Sequence, residues 1–255
     1  TTCTAVQVSL LSCASTALPE CLREHARDEK VLISALKEQG LEIQWTEWGS
    51  DSELEKSQIT PIVLIRSTWD YSDSLEKKNQ FISWLKALDS SRTKLLNNVG
   101  IIEWNSDKKY LIELEQAGIP IVPTLLIEKG QLIPNIRTIA NEWNTDTVII
   151  KPAVGASARG LTKHTINFSD SSSTENIEND IISVSNDDGA ALLQPFLPSI
   201  LKGEISIICI NNKPLGGILK VPKSGDFRVQ EEWGGKNIVL ELNNDMILSA
   251  NKVLN

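Results

Sequence analysis

The sequence predicts a mixed α/β protein. Three observations point there. Over residues 1–98, apolar segments alternate in the order strand, helix, strand, strand, helix, strand. Residues 61–66 (PIVLIR) form an apolar run, the pattern of a parallel strand covered on both faces. Residues 205–221 are two apolar strands around Asn211-Asn212-Lys213-Pro214, which reads as a β-hairpin.

In chain order, residues 6–11 read as the first strand and 12–24 as a polar connection. Residues 27–39 follow as a helix: Val31, Leu32, Ala35 and Leu36 share one stripe, and Gly40 is a natural terminator. Residues 41–45 and 61–66 are strands, 76–88 an amphipathic helix with Phe81, Leu85 and Leu88 on one side, and 94–97 a short strand. Together these make a small doubly wound unit. Residues 106–117 read as a helix capped by Ser106, striped by Tyr110, Leu111 and Leu114, and ended by Gly118. An extended segment at 118–124 leads into a strand at 125–128, and 136–141 reads as a short helix. Strands are expected at 148–151, 161–164 and 190–193, and an amphipathic helix at 244–254. The Ser-, Asn-, Asp- and Glu-rich stretch 167–188 reads as a surface loop around a short helix.

A chain of 255 residues holds one large domain or two to three compact subdomains. With 41% hydrophobic and 23% charged residues it has the composition of a soluble globular protein. No apolar run is long enough to span a bilayer. A net charge of −8 disfavours nucleic acid as a partner, although a local basic cleft can hold a small anion. Cys3, Cys13, Cys21 and Cys209 show no C-x-x-C spacing and do not cluster with His25 or His164, which argues against zinc. Cys209 alternates within an apolar strand and reads as a buried thiol. A reducing intracellular compartment, hence the cytoplasm, is the expected location, and residues 1–15 lack the charge pattern of a signal peptide. The only methionine is Met246, so a trimmed chain is expected.

Four stretches carry candidate chemistry. After the second hairpin strand comes a loop with Lys220, Lys223, Gly225, Asp226, Arg228, Gln230, Glu231, Glu232, Gly234 and Gly235. Arginine offers a planar fork for phosphate or carboxylate, lysine a mobile point charge, and paired glycines let backbone N–H groups approach a ligand. The plainer reading is an exposed polar loop. After 148–151 (VIIK), the small residues of 153–160 could fold onto phosphates; no Walker A or dinucleotide fingerprint is present, which makes a dinucleotide-dependent enzyme the weakest reading. Lys108 and Lys109 sit where a helix should begin, opposing its dipole; a bound polyanion would explain them, as would plain solvation. Ser67, Thr68, Trp69, Asp70 and Tyr71 follow a strand, where α/β ligands collect, and either contact a small polar substrate or form a capped turn.

RSTWDY at 66–71, WNSDKKYL at 104–111, VIIK with its glycine loop, QPFLP at 194–198 and GDFR followed by Gly234-Gly235 together resemble the ATP-grasp superfamily. The likeness is to the branch of glutathione synthetase and ribosomal-protein glutamate ligase, and to the group that includes the cyclising ligase of cycloserine biosynthesis. It covers nearly the whole sequence. It implies an N-terminal Rossmann-like pre-ATP-grasp unit at 1–98 and a first ATP-grasp subdomain with the phosphate loop at 99–190. A second subdomain would occupy 191–255, with the nucleotide between the two.

The resemblance also implies roles. Lys108 and Lys151 contact phosphates, and Gly155, Ala156, Ser157 and Gly160 form the phosphate loop. Gln194, Phe196 and Leu197 receive adenine through main-chain atoms, and Glu204 binds the ribose. Arg228 and Lys220 are the catalytic cations, and Ser67–Tyr71, Gln230, Gly234 and Gly235 face the substrate. The implied function is an ATP-dependent ligase that joins a small amino-acid-like or peptide carboxylate to an amine through an acylphosphate, ring closure of one substrate being one form. ATP and Mg²⁺ are the implied cofactors, and a homo-oligomer is among the expected states. The family pattern continues past the 244–254 helix with strands whose Asp, Glu and Asn bind Mg²⁺. This sequence carries none of them, so the second subdomain is expected to be incomplete at its C-terminus, either through truncation or for want of a metal site, and the metal ligands stay open. A nucleotide-binding protein without catalysis is the alternative.

Overall fold

The computed structural model describes residues 6–13, 26–49, 51–58, 60–89 and 93–254. The expectations on Cys3, Cys21, His25 and the polar connection beyond Cys13 lie outside these residues. The chain divides into two compact units: Thr1–Lys108 with Val154–Ala156, and Lys109–Ala153 with Ser157–Asn255.

The first unit is built on a four-stranded parallel sheet. Its strands β1 (Gln7–Ser12), β2 (Glu42–Glu47), β3 (Ile62–Ser67) and β4 (Lys94–Leu96) lie in the order β2-β1-β3-β4. Helices α1 (Ala26–Glu38), α2 (Asp51–Gln58), α3 (Leu75–Asp89) and α4 (Val99–Asn105) complete it. Its core forms because α3 turns Phe81, Ile82, Trp84, Leu85 and Leu88 inward onto Leu11, Val63 and Leu95. Phe81, Leu85 and Leu88 are fully buried, and each contributes about 1.5–3 kcal/mol by leaving water. The expectation that β3 is buried on both faces is corrected. Val63 and Ile65 pack on the α3 cluster, but Ile62 and Leu64, on the other face, are only half-buried.

Ser106 does not start a helix. Asn98 caps α4, its Oδ1 accepting from Ile101 N at 2.9 Å. Ser106 closes that helix, its hydroxyl donating to Glu103 O at 2.7 Å, a back-bond to which short hydroxyl side chains are prone. The next helix, α5 (Tyr110–Gln116), begins after Lys109 with no side-chain cap.

The second unit holds two antiparallel sheets. The first contains β5 (Leu125–Glu128), β6 (Thr147–Pro152), β7 (Thr162–Thr165) and β8 (Ala190–Pro195) in the order β5-β8-β6-β7. β8 is buried at all six positions, so the boundary expected at 190/191 falls inside a central strand. Helices α6 (Ile136–Glu142) and α7 (Glu175–Asp188) cover this sheet, with Ile136, Ile177 and Ile181 packed on Ile127, Ile150 and Leu193. α7 corrects the surface-loop reading of 167–188: Ile177, Ile181, Ser185 and Asp188 recur at helical spacing and are all buried.

The second sheet is β9 (Glu204–Ile210), β10 (Lys213–Val221) and β11 (Lys236–Leu240), in the order β11-β10-β9, followed by α8 (Asn244–Leu254). The hairpin turn is tighter than expected. Only Asn211 and Asn212 lie outside the strands, at φ +51° and +58°, the paired left-handed positions that asparagine tolerates in a two-residue turn. Lys213 and Pro214 already belong to β10. β11 was not expected from sequence. Among the described residues its one neighbour is β10, and Val239 on it is 90% exposed. Cys209 is half-buried rather than buried, as its strand exposes Ile205, Ile208 and Ile210. No helix of the described residues is long and apolar enough to cross a membrane.

Candidate functional site

Within the second unit a cavity of about 240 Å³ opens beside the end of β8. Its apolar walls are Val122, Ile149, Leu161, Ile200, Phe227 and Val229, and its polar lining is Lys151, Gln194, Glu204, Arg228 and Gln230, with Phe196 and Leu197 at the rim. Seven residues singled out in the sequence are thereby brought together from β6, β8, β9 and two loops. Sequence reasoning missed the apolar walls, since a scattered valine or leucine carries no signal of its own.

Each polar group has a physical setting. Lys151 is the half-buried next-to-last residue of β6, after the buried run Val148–Ile150. Desolvation pushes its ammonium below the ordinary lysine value of 10.5, with Glu204 partly opposing the shift. A cation so placed is stabilised by a bound anion. Gln194 is buried, and its Nε2 donates to Thr124 Oγ1 at 2.7 Å. That fixes the strand end from which Phe196 and Leu197 emerge. Gln230 Oε1 is buried with no hydrogen-bond partner among the described residues, an acceptor whose desolvation none of them offsets. Lys220 Nζ stands 3.9 Å from Glu204 Oε1, a loose and half-exposed ion pair.

Arg228 is held on two sides. Its Nε and Nη2 donate to the Asp226 carboxylate at 2.7–3.2 Å, and its guanidinium lies 3.5 Å over the Trp233 ring. Asp226 also accepts the backbone N–H groups of Phe227 and Arg228. These bonds, those from the Arg228 side chain first, hold its carboxyl well below the usual carboxylate range. Asp226 is therefore a partner of arginine rather than an independent ligand group.

The glycine pair serves the loop itself. Gly234 adopts φ +82°. A Cβ on Gly235 would lie 2.1 Å from Val229 O, so close approach is needed here between two stretches of backbone. Ser157 and Ala158, in the loop between β6 and β7, sit at φ +53° and +58°, and Gly160 at +64°. Arg159 of that loop pairs with Asp188 at the end of α7 at 2.7 Å. Gly155 and Ala156 group with the first unit, where Lys108 Nζ donates to Gly155 O.

The 67–71 turn also belongs to the first unit. Thr68 is buried, Asp70 Oδ1 accepts from Trp48 Nε1 at 2.8 Å, and Tyr71 stacks on Phe81 with centroids 5.1 Å apart. Ser67 O accepts from Cys13 N and Trp69 O from Ser72 Oγ, both at 2.8 Å, so all five expected substrate groups are engaged by the fold, with Trp69 in the 3₁₀ turn Trp69–Asp73 36% exposed. Among the described residues no group of three or more His, Cys, Asp or Glu side chains could hold a metal ion.

Comparison with known proteins gives two matched regions. Residues 8–97 match the D-cycloserine synthetase DcsG N-terminal domain. Residues 118–254 match the ATP-grasp domain of prokaryotic glutathione synthetase. A cycloserine biosynthesis protein, DcsG, from Streptomyces lavendulae is 21% identical over 175 residues, 68% of this chain and 55% of that protein. The chain spans about half or less of the curated relatives it matches. The crystal structure of D-cycloserine synthetase DcsG superposes with a TM-score of 0.76 at 17% identity, covering 96% of this chain and 78% of that one. A D-alanine–D-alanine ligase from Bacillus anthracis, solved with ATP, gives 0.64 at 15% identity, covering 98% and 78%. These structures share the fold.

Proposed function

This chain belongs to the prokaryotic glutathione synthetase ATP-grasp family, and on that premise we propose that it is an ATP-dependent carboxylate–amine ligase for a small amino-acid-like or peptide substrate. The observation that carries the reading is the convergence of Lys151, Glu204, Arg228 and the unpartnered Gln230 Oε1 on one cavity.

The residues present fit a nucleotide. A desolvated lysine favours an anion, a carboxylate at the mouth accepts ribose hydroxyls, and the apolar walls suit a base. Gln194, Phe196 and Leu197 would meet that base along their backbone, with Lys151, Ser157 and Gly160 on the phosphates. The substrate carboxylate oxygen would bond to the terminal phosphorus as the bond to ADP breaks. The amine nitrogen would then bond to the acyl carbon, phosphate leaving with the electron pair and the nitrogen giving up a proton. Arg228, backed by Lys220, would neutralise the charge gathering on the acylphosphate and oxyanion. Mg²⁺ is typical of these ligases, and among the described residues no cluster of three or more His, Cys, Asp or Glu side chains fits it.

A thermal-shift titration with ATP and ADP, with and without Mg²⁺, tests the reading. At a hundredfold its Kd, a ligand adds roughly 2.7 kcal/mol of stability. ATP should stabilise the protein, and Lys151→Met should remove most of the shift. Absence of any shift in the unsubstituted protein would sink the proposal. A shift indifferent to Mg²⁺ would favour a protein that binds nucleotide without catalysis.

A further inference from the structure

We propose that Trp233 is the positioning residue for Arg228 and that it ties the Arg228 loop to the glycine loop at Ser157. The proposal rests on the ligase reading above and deepens it.

An arginine side chain reaches its ligand through four rotatable bonds, so a useful guanidinium must be held both in its plane and about it. Asp226 does the first. It takes Nε and Nη2 along one edge, and leaves Nη1 with no partner among the described residues. A carboxylate on one edge still lets the plane tilt. Trp233 prevents that by covering one face of the guanidinium at 3.5 Å. The two contacts together leave a fixed donor edge on a residue that lines the cavity.

The backbone delivers Trp233 to this place deliberately. Glu231–Trp233 is a single 3₁₀ turn, with Trp233 N donating to Gln230 O at 3.0 Å. Gly234 at φ +82° reverses the chain, donating to Glu231 O, and Gly235 returns to Gln230 O at 3.1 Å. Gly235 then lies so close to Val229 that no side chain fits. The reversal thus folds residue 233 back over residue 228. The indole remains 40% exposed, and a large ring left half in water is accounted for by what it holds rather than by core packing.

The second contact extends the device. Trp233 Nε1 donates to Ser157 O at 3.1 Å. Ser157 and Ala158 are consecutive non-glycine residues at positive φ, a backbone that persists only when its surroundings hold it. One side chain therefore bears on both the cation proposed for the acylphosphate and the loop proposed for the ATP phosphates. A shift of either loop is felt by the other.

The test is a double-substitution cycle read by Mg²⁺-ATP affinity, together with the NMR signal of the Arg228 Nε–H in ligand-free protein, assigned by its loss in Arg228→Lys. Trp233→Leu removes ring and N–H; Trp233→Phe keeps a ring and removes only the N–H. Affinity should fall about tenfold in Trp233→Leu and about threefold in Trp233→Phe. Trp233→Leu added to Arg228→Lys should cost only about threefold more than Arg228→Lys alone, the share of the lost bond to Ser157 O. The Arg228 Nε–H signal should lose its ring-current shift in Trp233→Leu and keep it in Trp233→Phe. An unchanged Nε–H signal in folded Trp233→Leu, or additive losses in the cycle, would overturn the positioning role. If the unsubstituted protein binds no ATP while the Nε–H signal responds as stated, it is the ligase reading that fails, and the role of Trp233 in it falls for that reason alone.

Discussion

Replacing Gly235 by alanine tests the packing that shapes the Arg228 loop. The added Cβ would lie 2.1 Å from Val229 O, 2.6 Å from Val229 C and 2.9 Å from Gln230 O. All three are backbone atoms, so no side chain can swing aside to make room. The loop must open, which costs about 1–3 kcal/mol as overpacking. Opening also loses the Gly235 N–H bond to Gln230 O, about 0.5–1.5 kcal/mol more. The sum is about 1.5–4.5 kcal/mol, which in a chain of this length lowers Tm by roughly 3–18 °C. Gly216→Ala is the control. It lies in the same sheet system, and its Cβ would meet nothing within 4 Å, so its stability should stay within about 0.5 kcal/mol of the parent. Urea denaturation followed by circular dichroism measures both, and the glycine-loop reasoning predicts a lower midpoint for Gly235→Ala alone. Coincident midpoints for all three proteins would refute the close approach of residues 229 and 235.

Three further outcomes are expected. Lys151 has its pKa lowered by burial; a bound polyanion raises it again, so ATP binding should take up a proton at alkaline pH, where the free lysine is partly neutral. Calorimetry in buffers of different ionisation enthalpy reads this uptake, and it should vanish in Lys151→Met; binding without proton uptake would dissociate Lys151 from the phosphates. Arg159→Ala leaves the Asp188 side chain, 7% exposed, without its partner. A fully buried pair broken this way costs about 3–5 kcal/mol, and with the arginine 37% exposed we expect about 1–3, partly recovered in Arg159→Ala/Asp188→Asn. At the hairpin, Asn212→Ala should cost about 1–2 kcal/mol because alanine resists φ +58°, whereas Asn212→Gly should be neutral or stabilising; equal stabilities would argue against the two-residue turn.

The parallel sheet was legible because its strands and helices differ in apolar period, as in residues 61–66 against 76–88. What stayed hidden has physical causes. α7 carries Ser, Asn, Asp and Glu on all but one stripe, so the spacing of Ile177 and Ile181 is drowned by a polar composition. α4 (VGIIEWN) is apolar enough to pass for a strand, and its cap is Asn98, one step before the glycine-containing turn. β11 is five residues long and follows a glycine pair, so it reads as loop. In the candidate site, Lys151 and Arg228 stood in stretches marked by their residue content, whereas Gln194 and Glu204 were found through the resemblance alone. Trp233 and the pairing of Asp226 were missed because their task is to hold another side chain, and the irregular backbone between them gives no period to read.

The outer strand of the three-stranded sheet has a practical consequence. Among the described residues β11 has one edge unpaired, next to Ile238 and Val239, 50% and 90% exposed, with Lys236 as the only charge on the strand. An apolar edge with so little charge is a template for strand addition by other chains. Handled as the isolated polypeptide, this protein should therefore lose solubility with rising concentration before it loses its fold, and a charged residue at Val239, where the side chain meets mostly water, should widen the range in which it stays dispersed.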